Sequence, residues 1–133
     1  MIIPGAQTVM IVDDSLDILT LNTAVLEMAG YQVVSAACGS EGLAILSKSE
    51  APDLLLLDMN LGDMSGSEFL QRLERLRPEI LEKTPVVYFT GMNEPPQGRA
   101  LGIIQKPVEI DKLEREVRRF IELGNAGAEP PCL

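Results

Sequence analysis

The sequence predicts an α/β fold in which a parallel β-sheet is covered by helices on both faces. Two observations support this. Short apolar runs alternate along the 133-residue chain with segments whose apolar residues recur at the helical period. The most apolar run, Leu54–Leu57, is continuous, which is typical of a parallel strand buried on both faces. Alternating strands and helices place the strands parallel, with the helices packed against the sheet.

Five apolar runs are candidate strands. They are Val9–Val12, Tyr31–Ala36, Leu54–Leu57, Val86–Phe89 and the short Ile103–Ile104. Four of them end beside a polar side chain suited to chemistry, whereas the run ending at Ala36 does not. We therefore expect that second strand at an edge of the sheet.

The segments between the runs predict helices. Ser15 is a candidate N-cap for a first helix, and Gly30 is its candidate stop. Ser40 is a candidate cap for a second helix, and a third should end near Pro78. The predicted apolar faces are Ile18, Leu21, Val25 and Met28 in the first helix, Leu43 and Leu46 in the second, Phe69, Leu73 and Leu76 in the third, and Ile110, Leu113, Val117 and Phe120 in the last.

The domain boundaries follow from composition. Residues 1–123 form one predicted domain, and residues 124–133, rich in Gly, Ala and Pro, are predicted to be a flexible tail. The segment 92–101 contains Pro95, Pro96 and Gly98, so we expect at most a turn or two of helix there.

Composition excludes several classes of function. The net charge of -9 argues against direct nucleic-acid or membrane-surface binding, because both require a basic face. The absence of histidine excludes His-based catalysis and His metal ligands. Cys38 and Cys132 lack metal-site spacing and suit a reduced, cytoplasmic protein. No signal peptide or membrane span is recognisable, which also favours the cytoplasm.

The side chains that follow the strands are the candidate functional residues. Asp13 and Asp14 follow the first strand, Asp58 the third, Thr90 the fourth and Lys106 the fifth. Ligands of open α/β sheets bind outside the carboxyl ends of the strands, so these residues should converge on one crevice.

Three clustered carboxylates require a counter-charge. At about 5 Å and an effective dielectric of about 20, each pair repels by roughly 3 kcal/mol before solvent screening. A hard divalent cation removes this conflict, and Mg²⁺ prefers a few carboxylates together with water and phosphate oxygens. Lys106 would then supply a positive charge for a phosphoryl oxygen, and Thr90 a hydroxyl donor.

The residues in this order resemble the receiver domain of two-component response regulators, which is CheY-like. The motifs are MIVDDS, LLLLDMNLGDMSG, VVYFTG and IIQKP, and the resemblance runs from Thr8 to Leu123. It implies a flavodoxin-like fold with a doubly wound five-stranded parallel sheet in the order 2-1-3-4-5. It also implies an Mg²⁺ cofactor and transfer of a phosphoryl group from the phosphohistidine of a sensor histidine kinase or phosphotransfer protein.

The resemblance assigns roles to the matching residues. Asp58 would be the phosphoacceptor, Lys106 would pair with the phosphoryl group, and Thr90 would be the switch hydroxyl. The implied metal ligands are Asp14 directly, Asp13 mainly through water, Asp58 itself, and the backbone carbonyl of Asn60. Pro107 would follow a cis peptide that positions the lysine.

Three departures from the family pattern concern signal output. Gly62 stands where the family often has proline, and Ile103 stands where an aromatic is usual. The stretch from Thr90 to Lys106 is shorter than the family norm by roughly a turn and a half of helix. We therefore expect the helix between the fourth and fifth strands, the fourth helix of the family, to be shortened or missing. The resemblance also implies an output partner, whose identity the sequence does not indicate.

Two other functions remain open from the sequence alone. The first is a receiver-like protein-interaction module that phosphorylation does not control. The second is a phosphatase of the haloacid-dehalogenase type, which also uses an aspartate at a strand end. That family requires a second aspartate two positions further on, and Asn60 at this position disfavours it. A receiver is not expected to turn over a separate substrate.

Overall fold

The structure is a computed structural model that describes residues 6–91, 101–106 and 108–128, the last four of them as backbone only. Its elements, in chain order, are β1 Thr8–Val12, α1 Leu16–Met28, β2 Gln32–Ala36, α2 Gly39–Leu46, β3 Leu54–Leu57, α3 Gly66–Leu76, α4 Pro78–Lys83, β4 Val86–Thr90, β5 Gly102–Gln105 and α5 Ile110–Ala128.

The five strands form one parallel sheet in the order β2-β1-β3-β4-β5. This confirms the predicted fold class and strand order, including the position of β2 at an edge. The strand order reverses beside β1, between β1 and β3, which is where open α/β sheets place their ligand crevice.

Alternate side chains of the central strands point into two separate cores. On one face, Met10, Leu55 and Tyr88 pack with buried residues of α2, α3 and α4. On the other face, Ile11 and Leu56 pack with buried residues of α1 and α5. Because β3 is buried on both faces, all four of its positions require apolar side chains, which explains the continuous run of leucines in the sequence.

Helix α1 begins as predicted, but the face that packs on the sheet is only partly the predicted one. The Ser15 hydroxyl accepts a hydrogen bond from the Ile18 amide at 3.4 Å, which confirms the N-cap. The predicted apolar face is half right: Ile18 and Val25 pack against the core, whereas Leu21 is 52% exposed and Met28 89% exposed. The buried residues of the helix are Leu19, Asn22 and Leu26. The packed face is therefore rotated from the predicted one, because helical periodicity does not determine which apolar side chains contact the sheet.

Two further details differ from the sequence prediction. The N-cap residue of α2 is Cys38 and not Ser40. The Ser40 hydroxyl instead donates a hydrogen bond to Asp63 Oδ2 at 2.9 Å. The third helix ends at Leu76, as expected near Pro78, but a short helix, α4, follows with Pro78 at its first position. Proline is favoured there because the first N–H of a helix has no internal partner.

The C-terminal helix extends past the predicted domain boundary at residue 123, to Ala128. Gly124 explains part of this extension, because a Cβ built on it would lie 2.6 Å from Pro85 Cγ. The helix therefore passes directly over the residue that precedes β4. Residues 129–133 lie outside the described part of the chain. So does Pro107, on which the expectation of a cis peptide depends, and so do residues 92–100, on which the expectation of a shortened or missing helix between β4 and β5 depends. No described helix is both long and apolar enough to cross a membrane.

Candidate functional site

The candidate site lies at the carboxyl edge of the sheet, where backbone pairing continues one residue beyond three of the strands. The Asp13 amide donates to the Ala36 carbonyl at 3.1 Å, and the Asp58 amide donates to the Val12 carbonyl at 3.0 Å. The Lys106 amide donates to the Thr90 carbonyl at 2.8 Å. These residues are thus held by the sheet itself and not by flexible loops.

The predicted acidic cluster is assembled. One carboxylate oxygen from each of Asp13, Asp14 and Asp58 lies within 4.8 Å of the other two. Asp13 is buried, Asp58 nearly so, and Asp14 is exposed to solvent. Three hard oxygen donors, one of them open to water, match the preference of Mg²⁺ for a few carboxylates and retained water. The donor set of this crevice therefore fits a divalent cation.

Lys106 reaches into the same cluster. Its Nζ lies 2.6 Å from Asp13 Oδ2 and 3.4 Å from Asp58 Oδ2. The ammonium also lies 5.2 Å from the centre of the Phe89 ring, within the range of a cation–π contact. The lysine is the positive charge that the sequence predicted here, and its shorter contact is with Asp13.

Asp13 is engaged through both carboxylate oxygens. Its Oδ1 accepts a hydrogen bond from the Ser15 amide at 2.9 Å, and its Oδ2 receives the Lys106 ammonium at 2.6 Å. A carboxylate that is only 1% exposed needs such partners, because an unpaired buried charge is costly.

The Asp58 carboxyl is affected by opposing influences. Burial raises its pKa above the ordinary value of 3.8, and the charge of Asp13 raises it further, while the Lys106 ammonium acts in the opposite direction. The Asn60 amide also donates to Asp58 Oδ1 at 3.4 Å. The net result is a raised pKa, so the protein around Asp58 disfavours its negative charge when no metal is bound.

The loop after Asp58 has a conformation that proline cannot adopt. Gly62 has a φ of 83°, whereas the ring of proline fixes φ near -65°. The Gly62 amide donates to Asn60 Oδ1 at 3.2 Å, so the Asn60 side chain is used within the loop. A proline at residue 62 would therefore require a different backbone conformation in this loop.

Gly66 allows helix α3 to start directly against the acidic cluster. A Cβ built on this glycine would lie 2.7 Å from the backbone oxygen of Asp58, and the Gly66 amide donates to the Met59 carbonyl at 2.8 Å. A larger residue would push the strand end and the helix apart. The close approach fixes the position of Asp58 relative to α3.

Thr90, another predicted site residue, also lies at this edge of the sheet. Thr90 ends β4 and is buried. Ile103 pairs with Tyr88 across β4 and β5, and its side chain is 42% exposed.

Sequence reasoning missed Asp63, whose carboxylate accepts hydrogen bonds from the Gly39 and Ser40 amides at 2.9 and 3.0 Å. These bonds lower the pKa of Asp63 and join the loop after Asp58 to the start of α2. The contact is long-range, and no local pattern reveals it.

The family to which the chain belongs follows from a comparison of its sequence with known families. The sequence profile of the response regulator receiver domain matches residues 9–118. The chain belongs to this family. The receiver domain acts as a phosphoacceptor in two-component signalling, and the pocket formed by Asp13, Asp14 and Asp58 fits that role.

The receiver domain is similar to proteins of different sizes. It is 34% identical to the sporulation initiation phosphotransferase F of Bacillus subtilis, over 88% of this chain and 95% of that protein. It is 31% identical to the CAI-1 autoinducer sensor kinase/phosphatase CqsS of Vibrio cholerae, over 85% of this chain but only 17% of that protein. Similar sequences thus occur both as nearly the whole of a protein and as a small part of a larger one.

Solved structures agree with the fold. The chemotaxis response regulator CheY4 of Vibrio cholerae is 29% identical, covers 86% of this chain and 98% of its own, and superposes with a TM-score of 0.77. A CheY-like receiver domain from Methanospirillum hungatei is 28% identical, covers 92% of this chain and 99% of its own, and has the same TM-score of 0.77.

Proposed function

We propose that this receiver domain takes a phosphoryl group from the phosphohistidine of a sensor histidine kinase or a phosphotransfer protein onto Asp58. A carboxylate oxygen of Asp58 attacks the phosphorus, the P–N bond breaks, and the electron pair leaves with the imidazole of the donor. The observation that carries the proposal is the acidic cluster at the carboxyl edge of the sheet, with the Lys106 ammonium 3.4 Å from Asp58.

The other residues at this edge have supporting roles in the proposal. Asp14, Asp58 and the backbone carbonyl of Asn60 would hold Mg²⁺, with Asp13 acting mainly through water. A bound Mg²⁺ would neutralise charge on the transferred oxygens. Lys106 would pair with one of these oxygens, and the Thr90 hydroxyl would donate to the aspartyl phosphate and so bias the surface between two states.

The partners follow from the same chemistry. The chain needs a phosphohistidine donor and a protein that responds to the modified surface. Its net charge of -9 disfavours direct contact with nucleic acid or membrane surfaces. We place its action in the cytoplasm. We propose no turnover on a separate substrate.

The test is to treat the protein with acetyl phosphate and Mg²⁺ and to map any added phosphate by mass spectrometry. We expect one phosphate on Asp58, none in Asp58→Asn, and unchanged labelling in Asp17→Asn. Asp17 is a suitable control because it is an exposed carboxylate in the first turn of α1, close in sequence to the cluster.

Three outcomes would contradict the proposal. Equal labelling of Asp58→Asn would show that another residue accepts the group. Absence of labelling from both acetyl phosphate and a phosphorylated kinase would favour an interaction module that phosphorylation does not control. Continuous release of phosphate over many turnovers would favour a phosphatase.

A further inference from the structure

The loop between β3 and α3 carries a backbone group of the proposed metal site, the carbonyl of Asn60. The loop is closed by pairing of Asn60 with Ser65. A hydrogen bond of 2.9 Å from the Leu61 amide to the Met64 carbonyl closes it further. These bonds join the loop to itself, and Gly62, with a φ of 83°, allows its backbone a freedom that other residues lack. A contact outside the loop is needed to fix its position.

Asp63 attaches this loop to the first turn of α2. Its carboxylate accepts hydrogen bonds from the Gly39 amide at 2.9 Å and the Ser40 amide at 3.0 Å, and the Ser40 hydroxyl donates a third at 2.9 Å. The Ser40 and Gly39 amides lower the pKa of Asp63 from its ordinary value of 3.8. The carboxylate is therefore charged at neutral pH, and hydrogen bonds to a charged acceptor are stronger than those between neutral groups.

Helix α2 depends on this carboxylate in turn. The first N–H groups of a helix have no partner within it. The N-cap residue, Cys38, makes no capping hydrogen bond through its side chain to the described residues of α2. Asp63 lies 24 residues after Gly39 and supplies the acceptor that an N-cap side chain usually provides. Its negative charge is also favourable at the N-terminus of a helix.

The first turn of α2 is a firm attachment point. Glu41 Oε1 accepts a hydrogen bond from the Ala37 amide at 2.6 Å, which joins the turn to the end of β2. A Cβ built on Gly42 would lie 2.9 Å from Phe69 Cε2 and 3.2 Å from Val12 Cγ2, so the helix packs directly against α3 and β1. A loop bonded to this turn is therefore held relative to the carboxyl edge of the sheet.

We propose that Asp63 is a positioning residue for the metal site. By capping α2 from the loop between β3 and α3, it fixes the position of the Asn60 carbonyl relative to Asp58. Metal binding and capping of α2 are then linked, and each stabilises the other. This inference rests on the metal-dependent function proposed above.

The first test measures Mg²⁺ binding by isothermal titration calorimetry, with no phosphodonor present. Asp63→Ala removes the acceptor, so its dissociation constant should rise about fivefold over wild type. Asp63→Asn removes the same charge but keeps an oxygen that accepts an amide, so its dissociation constant should stay within about twofold of wild type. Wild-type affinity in Asp63→Ala would overturn the proposal. Equally weak binding by both variants would also overturn it, because the lost charge would then be responsible.

A third variant separates positioning from a general loss of stability. Thr84 Oγ1 donates to the Pro52 carbonyl at 2.7 Å, a buried contact between the residues that precede β4 and β3, at the sheet edge opposite the cluster. Thr84→Val should lower the free energy of unfolding, since it removes a buried hydrogen bond, but it should bind Mg²⁺ like wild type. Binding as weak as that of Asp63→Ala would show that stability alone controls the affinity, and would refute a specific role for Asp63.

The second test uses the wild-type chain and does not depend on a variant that folds. Hydrogen exchange measured by NMR reports the protection of individual amides. Saturating Mg²⁺ should slow exchange at Gly39 and Ser40 severalfold. The Ser49 amide, bonded to the Ile45 carbonyl at the other end of α2, is the internal reference and should not change. Unchanged exchange at Gly39 and Ser40 would overturn the linkage.

These measurements separate the inference from the proposed function. Mg²⁺ binding that is insensitive to Asp63 would overturn the positioning role and leave the phosphoacceptor role of Asp58 intact. Absence of any Mg²⁺ binding by wild type would refute the metal role in the proposed function, and the positioning role with it.

Discussion

Asp58 shows how a single carboxyl can be arranged for chemistry at the expense of stability. The pKa of Asp58 in the folded protein lies above its ordinary value of 3.8, so folding favours the protonated carboxyl. The resulting contribution to the free energy of unfolding is fully present below pH 3.8 and is lost as the pH rises through the folded pKa. At neutral pH the ionised Asp58 therefore destabilises the metal-free domain.

The substitution Asp58→Asn should accordingly stabilise the metal-free protein at pH 7, because it removes a negative charge that the folded protein disfavours. The gain should shrink as the pH falls and should vanish below about 3.8, where Asp58 is protonated in both the folded and the unfolded chain. Urea unfolding in the presence of a chelator, repeated across this pH range, measures the effect. A variant that is less stable than wild type at pH 7 would contradict it.

Asn22 is a second residue at which the core departs from an apolar pattern. It is 4% exposed on the packed face of α1, and its Nδ2 is the buried side-chain atom without a hydrogen-bond partner among the described residues. Asn22→Leu should raise the free energy of unfolding by about 1–3 kcal/mol, since it removes the cost of that unpaired donor. Thermal unfolding compared with the exposed variant Thr20→Leu tests this prediction; an equal change in both would show that helix propensity, and not burial, is responsible.

At the scale of elements, Arg77 joins the end of α2 to the junction of α3 and α4. Its Nη1 donates to the Leu46 carbonyl at 2.8 Å and to the Ser49 carbonyl at 2.5 Å, and its Nε contacts Glu79 at 2.8 Å. The last carbonyls of a helix have no partner within the helix, so the arginine supplies one from 31 residues further along the chain.

Removal of this contact should loosen α2 without disturbing the acidic cluster. Arg77→Met should lower the free energy of unfolding by about 1–3 kcal/mol, because it leaves part-buried carbonyls unpaired. Arg75→Met, an exposed position on α3, is the matched control and should change it little. If phosphorylation of Asp58 were lost together with stability in Arg77→Met, α2 would have to be coupled to the site.

The elements were predictable from sequence to different degrees. The four leucines of β3 and the cap at Ser15 are local signals, and both predicted their elements correctly. The packed face of α1 was predictable only in part. Ile18 and Val25 pack as expected, but the choice of Leu19 and Leu26 over Leu21 and Met28 depends on contact with the sheet. Helix α4 was also missed, since Pro78 indicates the end of a helix as readily as the start of one.

At the scale of the whole molecule, metal binding and folding should be linked. If the cluster binds Mg²⁺ only when the domain is folded, the free energy of unfolding should rise by about 1.4 kcal/mol for each tenfold increase in Mg²⁺ above the dissociation constant. Urea unfolding at a series of Mg²⁺ concentrations, with ionic strength held constant by NaCl, measures this slope. Asp58→Asn should reduce the increase in unfolding free energy per tenfold increase in Mg²⁺. If Mg²⁺ stabilises the wild-type protein no more than NaCl of the same ionic strength does, the result would argue against a metal site.

The site was predictable because the topology is simple. Parallel strands bring their carboxyl ends to one edge, so residues as distant as Asp13 and Lys106 could be placed together before their contact of 2.6 Å was known. The preference of the lysine for Asp13 over Asp58, and the link from Asp63 to α2, could not be foreseen. Both depend on side-chain distances of a few ångströms that strand order does not determine.

The hydrogen bond between the Lys106 amide and the Thr90 carbonyl, 2.8 Å long, has a consequence for protein engineering. It joins the carboxyl ends of β4 and β5, while at the opposite edge of the sheet the Leu101 amide donates to the Val86 carbonyl at 2.7 Å. A reporter peptide inserted between the two strands would therefore begin at the carboxyl edge, near Asp58, and end at the opposite edge of the sheet. Pairing of β4 with β5 on both sides of the insertion would keep Lys106 in register with the acidic cluster.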